Sequence, residues 1–195
     1  MSAGRHTCRA QRGVSLIEIA VVLTIFAVLV SQAVPSFAAW MRNSQIRTAT
    51  EGVQNGLQLA RAEAIRRNRS VQFTLDDVPG SSWTIGCAAP VDNGTVGVED
   101  DGDCPAVIQQ RLSGTEGTEG AQLTTTPSTA RTVTFDSIGR ITVNAGGTAT
   151  ITVIDAADPG MDSSTARPLR ITVGAGGDVR MCDPALPSSD PRRCP

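Results

Sequence analysis

The chain has 195 residues, 40% of them hydrophobic and 18% charged, which suits one folded domain plus a tail and excludes wholesale disorder. It contains no Lys, no Tyr and a single His, His6. If the first thirteen residues are removed, as argued next, no imidazole and no side-chain amine remains. That excludes Ser/His/Asp and Cys/His nucleophilic catalysis, Lys Schiff-base chemistry, a P-loop Lys and His-ligated metal. Carboxylate or thiol chemistry stays formally open.

Residues 1–13 carry Arg5, Arg9 and Arg12 and no acid, and residues 14–34 are almost continuously apolar, with Glu18 the sole charge. At ~1.5 Å per residue these 21 positions span roughly 31 Å, the hydrocarbon thickness of a bilayer. The basic flank holds the first end in the cytoplasm. A cleaved secretory signal is the alternative, but it needs a shorter apolar run and a small-residue site after it. Ser36-Phe37-Ala38 supplies that site poorly.

A carboxylate inside hydrocarbon costs about 2.5–3.5 kcal/mol on insertion scales and signals function. Glu18 has no Arg in its own span. Cleavage between Gly13 and Val14 would create a cation, the new α-amino group, four residues upstream. A neighbouring helix staggered by about one turn would bring such an amine to the acid. The lone acid thus points to lateral assembly of these helices. The segment GVSLIE, Gly13 to Glu18, closely resembles the class III signal of type IV prepilins and type II secretion pseudopilins. The resemblance implies cleavage after Gly13 by a prepilin peptidase, N-methylation of Val14 and a Glu at the fifth mature position. Val14 stands where that family usually has Phe, and Pro35 falls where its helices commonly carry a helix-distorting Pro.

Beyond Pro35 the pattern stays helical. Ile46, Ala49, Val53, Leu57, Ala60 and Ala64 recur at spacings of three and four, which places them on one face. Arg42, Arg47, Glu51, Arg61 and Glu63 lie off that stripe. One helix from about Val14 to Asn68 is expected, its outer half packed on a sheet. Gly52 and Gly56 are weak points, each costing ~1 kcal/mol relative to Ala. Arg66, Arg67 and Arg69 suit the negative end of the helix dipole. The remainder reads as short strands at Val71–Leu75, Trp83–Cys87, Ala106–Leu112, Thr132–Asp136, Ile141–Asn144, Ala149–Ile154, Leu169–Val173 and Asp178–Cys182. Gly139-Arg140 and Gly176-Gly177-Asp178 read as hairpin turns. Residues 88–103 and 113–131, the latter with a TEGTEG repeat, read as surface loops. The fold class is α+β, with a long amino-terminal helix on antiparallel sheet.

LARAEAIRRNRSVQF (Leu59 to Phe73), FDSIGR (Phe135 to Arg140) and GGDVRMCDP (Gly176 to Pro184) resemble the GspH/FimT family of minor pilins and H-type pseudopilins. The resemblance implies a type IV pilin-like fold, a head of two small sheets cradling the outer helix. It also implies a role in starting or capping a filament rather than forming its bulk.

Cys8 lies in the leader, leaving Cys87, Cys104, Cys182 and Cys194. An even number in an exported head favours disulfides, with three possible connectivities. Sequence proximity favours Cys87–Cys104 and Cys182–Cys194, the second fixing a Pro-rich tail. A four-Cys zinc site is the competitor, weakened by the lack of any C-x-x-C pair. Residues 99–103, EDDGD, offer hard oxygen ligands for calcium without EF-hand spacing, a pattern that is more often simply solvated. No cofactor and no metal are expected.

All seventeen basic side chains are Arg; without the three in the leader, fourteen face nineteen acids, a net charge of −5. Nucleic-acid binders usually show the opposite sign. Some FimT-type members are DNA receptors in natural transformation, with a basic motif near the carboxyl end. The matching segment here keeps Arg180 but has Asp178 where those members carry a base. Arg140, Arg192 and Arg193 complete the possible DNA contacts.

The organisation expected is therefore a leader (1–13), a transmembrane helix (14–35) and a periplasmic head (36–195) of a single-pass inner-membrane protein. Its partners would be the prepilin peptidase, membrane lipid and other minor or major pilins or pseudopilins. Of the two systems, the Cys182-Asp183-Pro184 tail resembles type IV pilus members more than the H-type pseudopilins of type II secretion.

Overall fold

A computed structural model describes residues 15–91, 104–113 and 117–195, apart from the side chain of residue 32. The chain divides into two compact units, Met1–Ala38 and Ala39–Pro195. Helix α1 runs unbroken over Leu16–Arg67, with Pro35 inside it. In the first unit every described side chain is exposed, including Leu16, Ile17, Leu23, Phe26 and Leu29. Its hydroxyls close back on the helix: Thr24 Oγ1 donates to the Val21 carbonyl at 2.7 Å and Ser31 Oγ to Val28 at 2.8 Å. A helix pairs the backbone groups of its interior within itself, so such a segment tolerates hydrocarbon better where its hydroxyls are paired too.

The second unit is built on the outer half of α1. Ile46, Ala49, Val53, Leu57, Ala60 and Ala64 are all fully buried, so the three-and-four stripe is the face that enters the core. Burying each large member stabilises by roughly 1.5–3 kcal/mol. Two antiparallel sheets share that core. The first comprises β1 (Val71–Leu75), β2 (Trp83–Cys87), β3 (Gln109–Arg111), β5 (Thr132–Phe135) and β6 (Ile141–Thr142) in the order β3-β2-β1-β5-β6. The second comprises β4 (Gln122–Thr126), β7 (Val153–Ala157), β8 (Leu169–Val173) and β9 (Val179–Cys182) in the order β4-β7-β8-β9. On β1, alternate residues Val71, Phe73 and Leu75 point inward with Ile85, Val133 and Phe135 from their neighbours, the period-two pattern of a half-buried strand.

The antiparallel α+β arrangement expected from the sequence holds, with local corrections. Strand β4 lies inside the 113–131 stretch expected to be loop. It alternates inward and outward with only Leu123 and Thr125 buried, a pattern too polar to announce itself as a strand. Strand β7 begins and ends three to four residues later than expected. Its Asp155 sits opposite Arg170 of β8 and accepts from Arg170 Nε at 2.6 Å, so a strand continues through an acid. Strand β3 is shorter than its expected span, 106–112. Strand β6 stops at Thr142, because Asn144 turns its amide into the core rather than continuing the ladder. There Asn144 accepts from Thr134 Oγ1 at 2.8 Å and donates to the carbonyls of Thr132, Thr148 and Ala149. Strand β5 stops before Asp136, whose carboxylate accepts from the Ile138 and Arg140 amides and shapes the turn.

The β7–β8 connection folds back on the helix within the same unit. Arg42 donates to the Gly160 carbonyl at 3.0 Å, and the Asn43 amide both donates to the Thr165 carbonyl and accepts from the Arg167 amide. These bonds hold a long loop that has little apolar content of its own.

Candidate assembly surfaces

Glu18 lies in the first turns of α1, exposed among apolar neighbours. Among the described residues its carboxylate has no partner. Gly13 and Val14 fall outside the described residues, so the amine expected to answer Glu18 has no described position. Water leaves the apolar surface of this helix unsatisfied and lipid leaves its unpaired carboxylate so, and another helix carrying a cation would answer the carboxylate.

The four head cysteines form two disulfides. Cys87 and Cys104 are joined with their Cα atoms 5.5 Å apart, beside a bridge between Val91 and Cys104. Cys182 and Cys194 are joined at 4.9 Å, and the bridge between Asp183 and Arg193 lies within the loop so closed. The first closes a loop on the core, since both its members are buried. The second fixes the proline-rich tail to the end of β9. Residues 99–103 of the expected calcium loop lie outside the described residues.

The four arginines weighed for DNA are not equivalent. Arg192 is bound to Asp190 through Nη2 at 2.8 Å and Nε at 3.1 Å. That side-chain bond and a backbone bond from Arg192 draw the Asp190 carboxyl down to a pKa of about 2. Arg193 belongs to the tail loop. Arg180 projects from β9 with Asp178 3.7 Å away. Arg140 is exposed beside the β5–β6 turn. Thus Arg180 and Arg192 each carry an acid beside them, tightly for Arg192 and at 3.7 Å for Arg180.

The basic end of α1 is likewise internally engaged. Glu63 accepts from Arg66 Nη2 and Arg67 Nε, both at 2.8 Å. Burial pushes the Glu63 pKa up, but the hydrogen bonds and charges of the two arginines outweigh it and the net shift is downward.

One basic residue absent from that set stands differently. Arg61 reaches from α1 to the turns Gly139 and Gly177, both in left-handed backbone conformation (φ 78° and 80°). A Cβ on either glycine would fall 3.0 or 3.3 Å from Arg61 Nε, so only residues without side chains let the turns close on it. The sheets also meet there, the Ile141 amide donating to the Ala175 carbonyl at 3.2 Å. Arg61 Nε is buried and has no hydrogen-bond partner among the described residues, as is Trp83 Nε1. In the sequence Arg61 is merely one position past the buried stripe, and nothing local marks it.

A family model described as type II transport protein GspH matches residues 49–177, about two thirds of the chain. The chain belongs to the GspH family. The prokaryotic N-terminal methylation motif also matches, over residues 8–31, which joins the GspH-type head to a prepilin-type amino terminus. GspH-family chains are minor pilins and pseudopilins, and the long helix on antiparallel sheets described above is their type IV pilin-like architecture. Among solved structures, two crystal forms of the type IV minor pilin FimU of Pseudomonas aeruginosa PAO1 are similar, each 18% identical. One covers 80% of this chain and 98% of FimU at a TM-score of 0.47; the other covers 76% and 98% at 0.43. No curated protein matches.

Proposed function

We propose that this GspH-family chain is a non-enzymatic minor pilin that starts or caps a type IV pilus-type filament. Residues 1–13 are a leader removed by a prepilin peptidase, residues 14–35 cross the inner membrane, and residues 36–195 form a periplasmic head. After cleavage and methylation, the Val14 amine and Glu18 form ion pairs between subunits, while the apolar face of 14–34 buries against sister helices. The observation that carries this reading is Glu18, a carboxylate without partner among the described residues, on a helix whose apolar side chains are exposed on every side. A monomer leaves both features unsatisfied, and lateral packing of such helices satisfies both at once.

The test is a Glu18→Ala variant, which should insert in the membrane and fold its head yet be missing from sheared filaments. Incorporation at the level of the unaltered chain would remove the reading. A second reading, an H-type pseudopilin of a type II secretion system, is favoured by the description of the matching family itself. Deleting the gene separates them: loss of surface pili supports the first and loss of protein secretion the second. DNA reception is disfavoured by Asp178 beside Arg180 and Asp190 on Arg192.

A further inference from the structure

We propose that the cleft lined by Gln58, Arg61, Ala62 and Ile65 of α1 and by Gly177–Arg180 of the β8–β9 hairpin receives a carboxylate side chain from a neighbouring filament subunit. The cleft is open and about 500 Å³ in volume. Arg61 lines it, its Nε buried against the turns at Gly139 and Gly177 and without a hydrogen-bond partner among the described residues. With Nε enclosed, a carboxylate in the cleft would be met by the terminal nitrogens of the guanidinium. Arg180 on the rim supplies a second cation, only loosely engaged by Asp178. Two guanidinium groups against one carboxylate leave the cleft positive in a chain whose mature net charge is −5. A planar guanidinium fork matches a carboxylate in two parallel hydrogen bonds.

The surroundings favour protein over nucleic acid. Ile65 lines the cleft at 50% exposure, and Ile138, beside Gly139, is 65% exposed. Exposed apolar side chains around a recessed Arg are the composition of a protein interface. A phosphodiester backbone would meet Asp178 on the same rim and too few cations. The inference rests on the reading of the chain as a filament subunit, and it names the chemistry of the neighbour's contact.

Ala62 is exposed in the cleft, so substitutions there spare the core. Ala62→Glu would fill the site with the chain's own carboxylate, and Ala62→Gln would place the same bulk without charge. In sheared filaments, Ala62→Glu and Arg61→Gln should each be reduced about tenfold, the effect of roughly one charged hydrogen bond. Ala62→Gln should stay within about twofold of the unaltered chain, with both head disulfides intact in all three. Equal incorporation of the two Ala62 variants, whether normal or reduced, would overturn the proposal. Independently of filaments, the full chain in detergent micelles with ¹⁵N-labelled arginine should shift its Arg61 Nε signal with hexaglutamate and not with hexaglutamine. No shift with hexaglutamate, or a duplex DNA complex abolished by Arg61→Gln, would also overturn it. Normal incorporation of Glu18→Ala alongside a retained Ala62 contrast would count against the filament ion pair while leaving the cleft assignment standing.

Discussion

The guanidinium of Arg111, on edge strand β3, fills the space that a side chain on Gly52 of α1 would need. One turn further along the helix, Gly56 does the same for Phe73 and Trp83, whose rings lie 5.7 Å apart. The two glycines form a notch in which the first sheet rests against the helix, which explains residues that helix propensity alone disfavours.

The two sites should therefore respond oppositely to alanine. Gly52→Ala displaces only the far end of a flexible side chain, and the helix gains up to ~1 kcal/mol of propensity. Its stability should be unchanged or raised. At Gly56 the added methyl would come 2.8 Å from Phe73 and 3.1 Å from Trp83, rings that cannot withdraw from a packed core. Overpacking of that kind costs roughly 1–3 kcal/mol, so Gly56→Ala should lower the Tm. Thermal unfolding of both variants in micelles, followed by near-ultraviolet circular dichroism, makes the comparison.

Asn144 is 3% exposed and joins four groups across β5 and the following turn. Asn144→Ala should cost roughly 1–3 kcal/mol for the polar groups left buried and unmatched. Asn144→Asp should be worse than alanine at neutral pH, because a carboxylate would face three carbonyl oxygens. Denaturant midpoints at pH 7 give the order, and alanine proving the more damaging would contradict the described geometry.

The two disulfides should differ in consequence. Replacing Cys182 and Cys194 by Ser opens a short loop at the surface, a loss of about 3 kcal/mol in the chain-entropy account. It should also expose the Arg192–Arg193 bond to trypsin. Replacing Cys87 and Cys104 by Ser places two hydroxyls in positions 2% and 0% exposed, so it should lower the Tm further than the tail variant. Paired melting curves and a timed tryptic digest separate the effects.

Acid should weaken the junction at the end of α1. The folded-state pKa of Glu63 lies below its ordinary value near 4.5. The unfolded chain therefore takes up the proton first, and the stabilisation is full above that value. It is lost as pH falls through the lowered one. Glu63→Gln should lower stability at pH 7 and flatten this acid limb. Unfolding curves from pH 7 down to about pH 3 would show an unaltered slope if the Arg66 and Arg67 contacts contribute nothing.

Much of the helix and its two roles was legible in the residues. The stripe from Ile46 to Ala64 announces a buried face because helical periodicity is local, set by rise and turn with no reference to the sheet. Strands β1, β2 and β8 were readable for the same reason, since alternating Val, Ile and Phe need only a half-buried surface. Glu18 stood out because one charge in an apolar run is conspicuous wherever the helix goes. Strand β4 was not legible. Its sequence QLTTT has one apolar residue, Leu123, so no hydrophobic alternation marks it despite its Thr residues, and pairing with β7 decides it. The propensity cost of Gly52 and Gly56 is legible in the sequence but the notch they form is not, because its partners Arg111 and Trp83 arrive from other strands.

Local pattern, then, determined the membrane-length helix, its lone acid, the apolar stripe and the strand-rich head, since each depends on neighbours within a few positions. The division of strands between two sheets, the inward amide of Asn144 and the seating of Arg61 under two glycine turns were decided only by the folded chain. Each of these depends on groups far apart in sequence, and burial and hydrogen bonding act between them only once the chain has brought them together.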